Sequence, residues 1–165
     1  MSDPDLLEQL EHDHGPLSEW VETLRQLIDT LRDAPAPIER ARELHPTLTE
    51  AVSELRDDLL EHFGREEECL FPFLYETLPA LRPQVEVLES GHDRICGALL
   101  RLGYLADRDV DTFVGQLDQV VNTFRRFEDA YVKHAAEERD LLQHADATLD
   151  PAQRAALRDA ERGLL

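Results

Sequence analysis

Four histidines and two glutamates stand where a leucine-rich pattern asks for apolar side chains: His14, His62, Glu66, His92, His134 and Glu138. Two pairs, His62/Glu66 and His134/Glu138, share the spacing HxxxE. Four residues of helix make about one turn and a rise of roughly 6 Å, so each pair projects from one face. A lone histidine on an apolar face is usually a hydrogen-bonded core residue. A carboxylate there is different, because burying it unpaired is costly, and two of them require a strong positive partner. Such pairs, converging from facing helices, are how helix bundles build carboxylate-bridged dinuclear metal sites. Four imidazoles and two carboxylates with no thiolate suit borderline ions such as iron or manganese. A structural zinc site would take four ligands, usually including Cys.

The elements that must position these side chains follow from the same pattern. Leu7, Leu10, Leu17, Val21, Leu24, Ile28 and Leu31 advance by alternating threes and fours, and His14 fills the one missing place. That rhythm is the inner face of an antiparallel helix bundle. RDAPAP (32–37) breaks the first helix. PIERAREL then serves as a short helical lead-in, and Pro46 restarts or kinks the chain. The second stripe is Leu48, Val52, Leu55, Leu59, His62, Glu66, Cys69 and Phe73, with Pro72 bending its end. LPALRP (78–83) is the next break. The third stripe is Val85, Leu88, His92, Ile95, Leu99, Leu102 and Ala106. After the polar turn ADRDVD, the fourth runs Phe113, Leu117, Val120, Phe124, Phe127, Tyr131, His134, Glu138, Leu141 and Ala145. LDP precedes a short tail helix over 151–162.

The expected fold is therefore all-α: an up-down-up-down four-helix bundle over about 5–145 with a short C-terminal tail helix, in a single domain spanning 1–165. In that arrangement all six polar seam residues fall near one height, as a single site requires.

Composition bounds the alternatives. With 42% hydrophobic and 32% charged residues in a chain of 165, a folded core is expected rather than disorder. A formal net charge of −19 repels nucleic acid and anionic membranes, so neither is an expected partner. The acidic start, MSDPDLLEQLEHDH, has no apolar run of a secretory signal, and no stretch approaches the roughly 20 apolar residues of a membrane span. Cys69 and Cys96 are expected as reduced thiols in a cytoplasmic protein. They should sit on opposite sides of the metal layer, too far apart for a disulfide.

The motifs EHDHGPL (11–17), HFGREEECLFP (62–72), GHDRI (91–95) and HAAEE (134–138), in this order, resemble those of the haemerythrin-like (HHE cation-binding) domain family. The resemblance covers about 5–145. It implies a four-helix bundle holding two non-haem iron ions, bridged by carboxylates and by an oxo- or hydroxo-type group. Carried over residue by residue, His14 is the first-helix ligand; His12 is the competitor, but it falls off the leucine stripe. His62 and Glu66 match the second-helix pair, His134 and Glu138 the fourth-helix pair, and Glu66 and Glu138 would bridge. His92 matches the first histidine of the third-helix motif.

One departure stands out. Oxygen-carrying haemerythrins have HxxxH in the third helix, whereas this chain has HxxxC, with Cys96 four residues after His92. A set of four His and two Glu is similar to that of di-iron proteins of iron–sulfur repair and nitric oxide stress. Cys96 itself has three readings: a ligand, a redox thiol, or a small packing residue. Tyr131 is expected in the core or beside the ligands. Glu67, Glu68 and Glu137 are expected to be solvated or to orient imidazoles, and Trp20, His45 and His144 to lie at the surface or bundle end. The functional expectation is a di-iron protein that binds or reduces a small ligand such as O2, NO or H2O2, with an unknown redox partner. A non-enzymatic iron or oxygen sensor is the alternative, and a plain interaction scaffold is a third reading.

Overall fold

The computed structural model describes residues 4–33 and 37–164, and these form helices and turns with no strand. Helix α1 spans Leu6–Asp33. Asp5 begins it: its side chain accepts from the Glu8 backbone N–H while Glu8 returns a bond to the Asp5 N–H, which satisfies two donors that a helix start leaves free. Of the expected break at 32–37, residues 34–36 lie outside the described residues.

Helix α2 spans Pro37–Arg65 without interruption, so Pro46 does not restart the chain and PIERAREL is part of the same helix. The Thr49 hydroxyl donates to the His45 carbonyl, and His45 Nε2 lies 2.7 Å from the Ala106 carbonyl. These side chains brace the proline-containing turn against the neighbouring helix. His45 thus sits at a bundle end, as expected.

The end of α2 departs from the sequence expectation. Glu66–Leu70 form a π turn, in which the Phe71 N–H donates to the Glu66 carbonyl five residues back. Helix α3, Phe71–Thr77, follows. The wide turn adds one residue to the helical count and rotates what comes after it. Phe71 and Leu74 are consequently buried, and Phe73, expected inward, is only half-buried. The irregularity that Pro72 announces therefore falls just before it.

A single 3-10 turn, Pro79–Leu81, leads into α4, Arg82–Ala106. The expected fourth helix is two: α5, Val110–Gly115, and α6, Leu117–Thr148, divided at Gln116. Asp109 caps α5 through the Thr112 N–H. Helix α7, Pro151–Arg162, opens with a reciprocal cap between Asp150 and Gln153. Arg154 ties it to Asp5 and Asp146.

Helix α1 packs on α2 and α6, and α4 packs on the same two. The contacts run in opposite order along each pair. Asp13 meets Arg65 and Trp20 meets Asp58. Phe63 meets His92 and His45 meets Ala106. Gln84 meets His144 and Arg101 meets Gln119. His14 meets Glu138 and Arg25 meets Glu128. Neighbouring long helices are therefore antiparallel.

The apolar interior is split in two. The larger cluster holds Leu17, Phe63, Ile95 and Tyr131, and the smaller holds Leu10, Cys69, Leu88 and Leu141. On every long helix the switch from one cluster to the other occurs across a polar residue. It is His14 on α1, His92 on α4, and His134 with Glu138 on α6; on the second segment it is Glu66. Cys69 belongs to the smaller cluster and Cys96 packs against the larger, and both are free thiols.

Candidate metal centre

The layer between the two clusters contains the six residues singled out by the stripe. His14 is 8% exposed, and His62, Glu66, His92, His134 and Glu138 are 2% or less. They converge as two triads, His14/His62/Glu138 and Glu66/His92/His134, and in each the nearest ligand-type atoms lie within 4.8 Å of one another.

Glu138 joins the triads. Its Oε1 is 2.9 Å from His14 Nε2 and 3.1 Å from His62 Nε2, and its Oε2 is 3.5 Å from His134 Nε2. Glu66 Oε2 is 3.0 Å from His92 Nε2 and 3.7 Å from His62 Nε2. Ligand atoms at right angles, each roughly 2.1 Å from one ion, lie about 3.0 Å apart, so the close contacts have the spacing of a shared coordination sphere.

Few of these close contacts have the alignment of a hydrogen bond. Of the nine buried side-chain N and O atoms without a well-aligned hydrogen-bond partner among the described residues, five face into the layer: the Nε2 atoms of His14, His92 and His134 and both oxygens of Glu66. Buried polar atoms are ordinarily paired. A cluster of them facing one another is what a pair of cations would satisfy.

The outer nitrogens show how two of the imidazoles are held. His62 Nδ1 lies 3.1 Å from Asp13 Oδ2, which is also 2.8 Å from the Arg65 guanidinium. His92 Nδ1 lies 2.6 Å from Glu67 Oε1. A carboxylate that accepts a hydrogen bond from Nδ1–H fixes the tautomer and leaves Nε2 free to ligate. Glu67 was an expected orienting residue. Asp13 was not, because its bond to His62 depends on how α1 and α2 meet. Glu68 is exposed, and Glu137 pairs with Lys133 at 3.8 Å. His12 is exposed, so the described fold brings His14, not His12, into the layer.

Charge in the layer is strongly redistributed. Burial works to lower the His62 pKa, but Asp13 and Glu138 outweigh it and push it up to about 10. Burial likewise opposes the rise at His92, where Glu66 and Glu67 prevail. Burial and the Glu138 charge raise Glu66. Burial would raise Glu138 too, but the imidazoles of His134, His14 and His62 hold it well below the usual carboxylate range.

Packing tightens the site further. Phe63 stacks on His92 with ring centroids 3.8 Å apart and meets the His134 ring edge-on at 5.3 Å. Phe71 also stacks on His92, with ring centroids 5.6 Å apart. At Gly91 a Cβ would lie 2.8 Å from His134 Nδ1, so only glycine lets α4 approach that imidazole. Cys96 is half-buried, and its sulfur is not among the converging ligand atoms. Burial, with the charges of Glu67 and Asp93, pushes its thiol pKa up, which keeps it protonated. Tyr131 lies in the larger core cluster, its hydroxyl 3.4 Å from that of Ser18. Trp20 is half-buried and donates to Asp58, and His144 is exposed.

Fold and site together define an all-α bundle whose buried layer of His and Glu can hold metal. Residues 5–145 match the hemerythrin HHE cation binding domain, and the chain belongs to that family. Its members bind metal ions, typically iron. Among curated proteins and solved structures, no significant match is found. No helix among the described residues is long and apolar enough to cross a membrane.

Proposed function

We propose that the protein is a non-haem di-iron protein that binds or reduces a small ligand such as O2, NO or H2O2, with His14, His62, Glu66, His92, His134 and Glu138 as the metal ligands. The observation that carries this is the set of orphaned, buried imidazole and carboxylate atoms facing one another in two triads. The donor set fits iron: four imidazoles and two carboxylates, with no thiolate in either triad. His14 and His62 would hold one ion and His92 and His134 the other, with Glu66 and Glu138 between them.

When bound, the ions would supply the electrons and the open coordination positions. This chain's own residues do the rest. Asp13 and Glu67 hold His62 and His92 by their outer nitrogens, so both imidazoles keep one orientation. Phe63 and Phe71, both buried and both stacked with His92, restrict its ring and help keep water from it. Asp13 is part-exposed and bonded to His62, which gives a proton a path of one residue between layer and solvent.

The test is optical. Aerobically purified, iron-supplied protein should show near-ultraviolet bands that change on adding azide, peroxide or NO. Iron-loaded protein with bands indifferent to all three would leave iron storage or sensing and remove the ligand-binding role.

A second reading, an iron- or oxygen-responsive regulatory domain, is favoured by one feature. Helix α7 packs on the π turn that carries Glu66, and Leu157 is buried in the smaller apolar cluster that also holds Cys69 and Leu70 of that turn. A change at Glu66 would reach α7 directly. Metal-dependent hydrogen-exchange protection of 151–162 without turnover would support it.

A further inference from the structure

Each triad contains one imidazole held by an outer carboxylate, and the two carboxylates are not equivalent. In the triad His14/His62/Glu138, the carboxylate is Asp13, 3.1 Å from His62 Nδ1 and shared with Arg65 at 2.8 Å. In the triad Glu66/His92/His134, it is Glu67, 2.6 Å from His92 Nδ1. Its one ion-pair contact among the described residues is His92 itself. The shorter bond and the unshared charge both make His92 the more electron-rich imidazole.

Arg65 is itself shared, since Glu61 Oε1 lies 3.7 Å from the same guanidinium nitrogen, but Asp13 is its nearer partner. The Glu67 side chain is 51% exposed against 24% for Asp13, so solvent screens its charge more, and the shorter, unshared hydrogen bond is what distinguishes His92.

We infer that the two metal positions are inequivalent, and that the Glu66/His92/His134 position fills first and holds a divalent cation more tightly, with Glu67 and Arg65 as the positioning residues that set the order. This rests on the di-metal reading above. Arg65 acts by drawing Asp13 away from His62, and Glu67 by acting without such a competitor. Neither touches the ion.

The experiment is a Co(II) titration of the metal-free protein, followed by absorption and by calorimetry, with circular dichroism to confirm that each variant is folded. Both positioning side chains reach the surface, so Glu67→Gln and Arg65→Met leave the core intact. Wild type should bind in two steps. His134→Gln should abolish the tighter step, and His14→Gln the weaker. Glu67→Gln should weaken the tighter step about 10–100-fold and leave the other within about threefold. Arg65→Met should strengthen the weaker step, bringing the two together.

Three results overturn the inference while leaving the metal centre standing. They are two equivalents bound in one unresolved step, loss of the tighter step in His14→Gln, or equal weakening of both steps by Glu67→Gln. Absence of any Co(II) binding by wild type overturns the metal-centre reading itself, and the order of filling with it.

Discussion

Asp13 Oδ2 lies between His62 Nδ1, at 3.1 Å, and the Arg65 guanidinium, at 2.8 Å. One surface carboxylate thus fixes the orientation of a buried imidazole from a different helix. Asp13→Ala removes that hold without opening the core. Metal affinity, measured by competition with a chromophoric chelator, should fall about 10–100-fold while the fold is retained. Unchanged affinity would mean that packing alone orients His62.

Glu66 is fully buried, only His92 Nε2 lies within about 3 Å of its oxygens, at 3.0 Å, and burial and the Glu138 charge both work against its ionised form. In the metal-free protein it is a burden on stability. Glu66→Met should therefore raise metal-free stability by about 1–3 kcal/mol in urea unfolding, and should abolish the extra stability that iron gives wild type. If iron stabilises neither protein and the variant is simply more stable, the layer serves only as scaffold.

His62 has its pKa pushed up to about 10 in the metal-free protein, so it is protonated at neutral pH. A ligand imidazole must give up its inner proton, so metal uptake releases it. Apparent affinity should rise with pH from neutrality up to about pH 10 and fall as the solution is acidified. Calorimetry at pH 7 in buffers of different ionisation enthalpy should detect the release of at least about one proton. Proton-neutral uptake would contradict the assigned state of His62.

Helix α7 is held by the Asp150–Gln153 cap and by Leu157, which is 2% exposed. Asp150→Ala should cost about 1 kcal/mol, and Leu157→Ala about 2–3 kcal/mol. Because α7 covers the π turn, Leu157→Ala should also speed amide exchange across 66–70. Faster exchange confined to 151–162 would mean that α7 does not brace the turn.

Much of this architecture was legible in the leucine stripes. All six seam residues found by their phase are buried in one layer, because burial is decided by the same helical period that the stripe records. The stripe misplaced Phe73, since a π turn changes the period and nothing in an apolar count reveals a hydrogen bond to the fifth residue back. It offered a restart or a kink at Pro46, and the restart does not occur: the helix runs on, with Thr49 and His45 bracing the turn there. It joined α5 to α6 across Gln116 because the phase is nearly unchanged by so short a break. The bond of Asp13 to His62 joins residues 49 apart in sequence, so it depends on how two helices meet and appears only in three dimensions.

Iron content is the most direct test of the account. Protein from iron-supplied cells should carry about two iron atoms per chain, and Glu66→Ala and Glu138→Ala should each lose at least half of that while remaining helical. Wild-type protein that is fully folded yet takes up no iron, from cells or on anaerobic addition of Fe(II), would contradict the central claim.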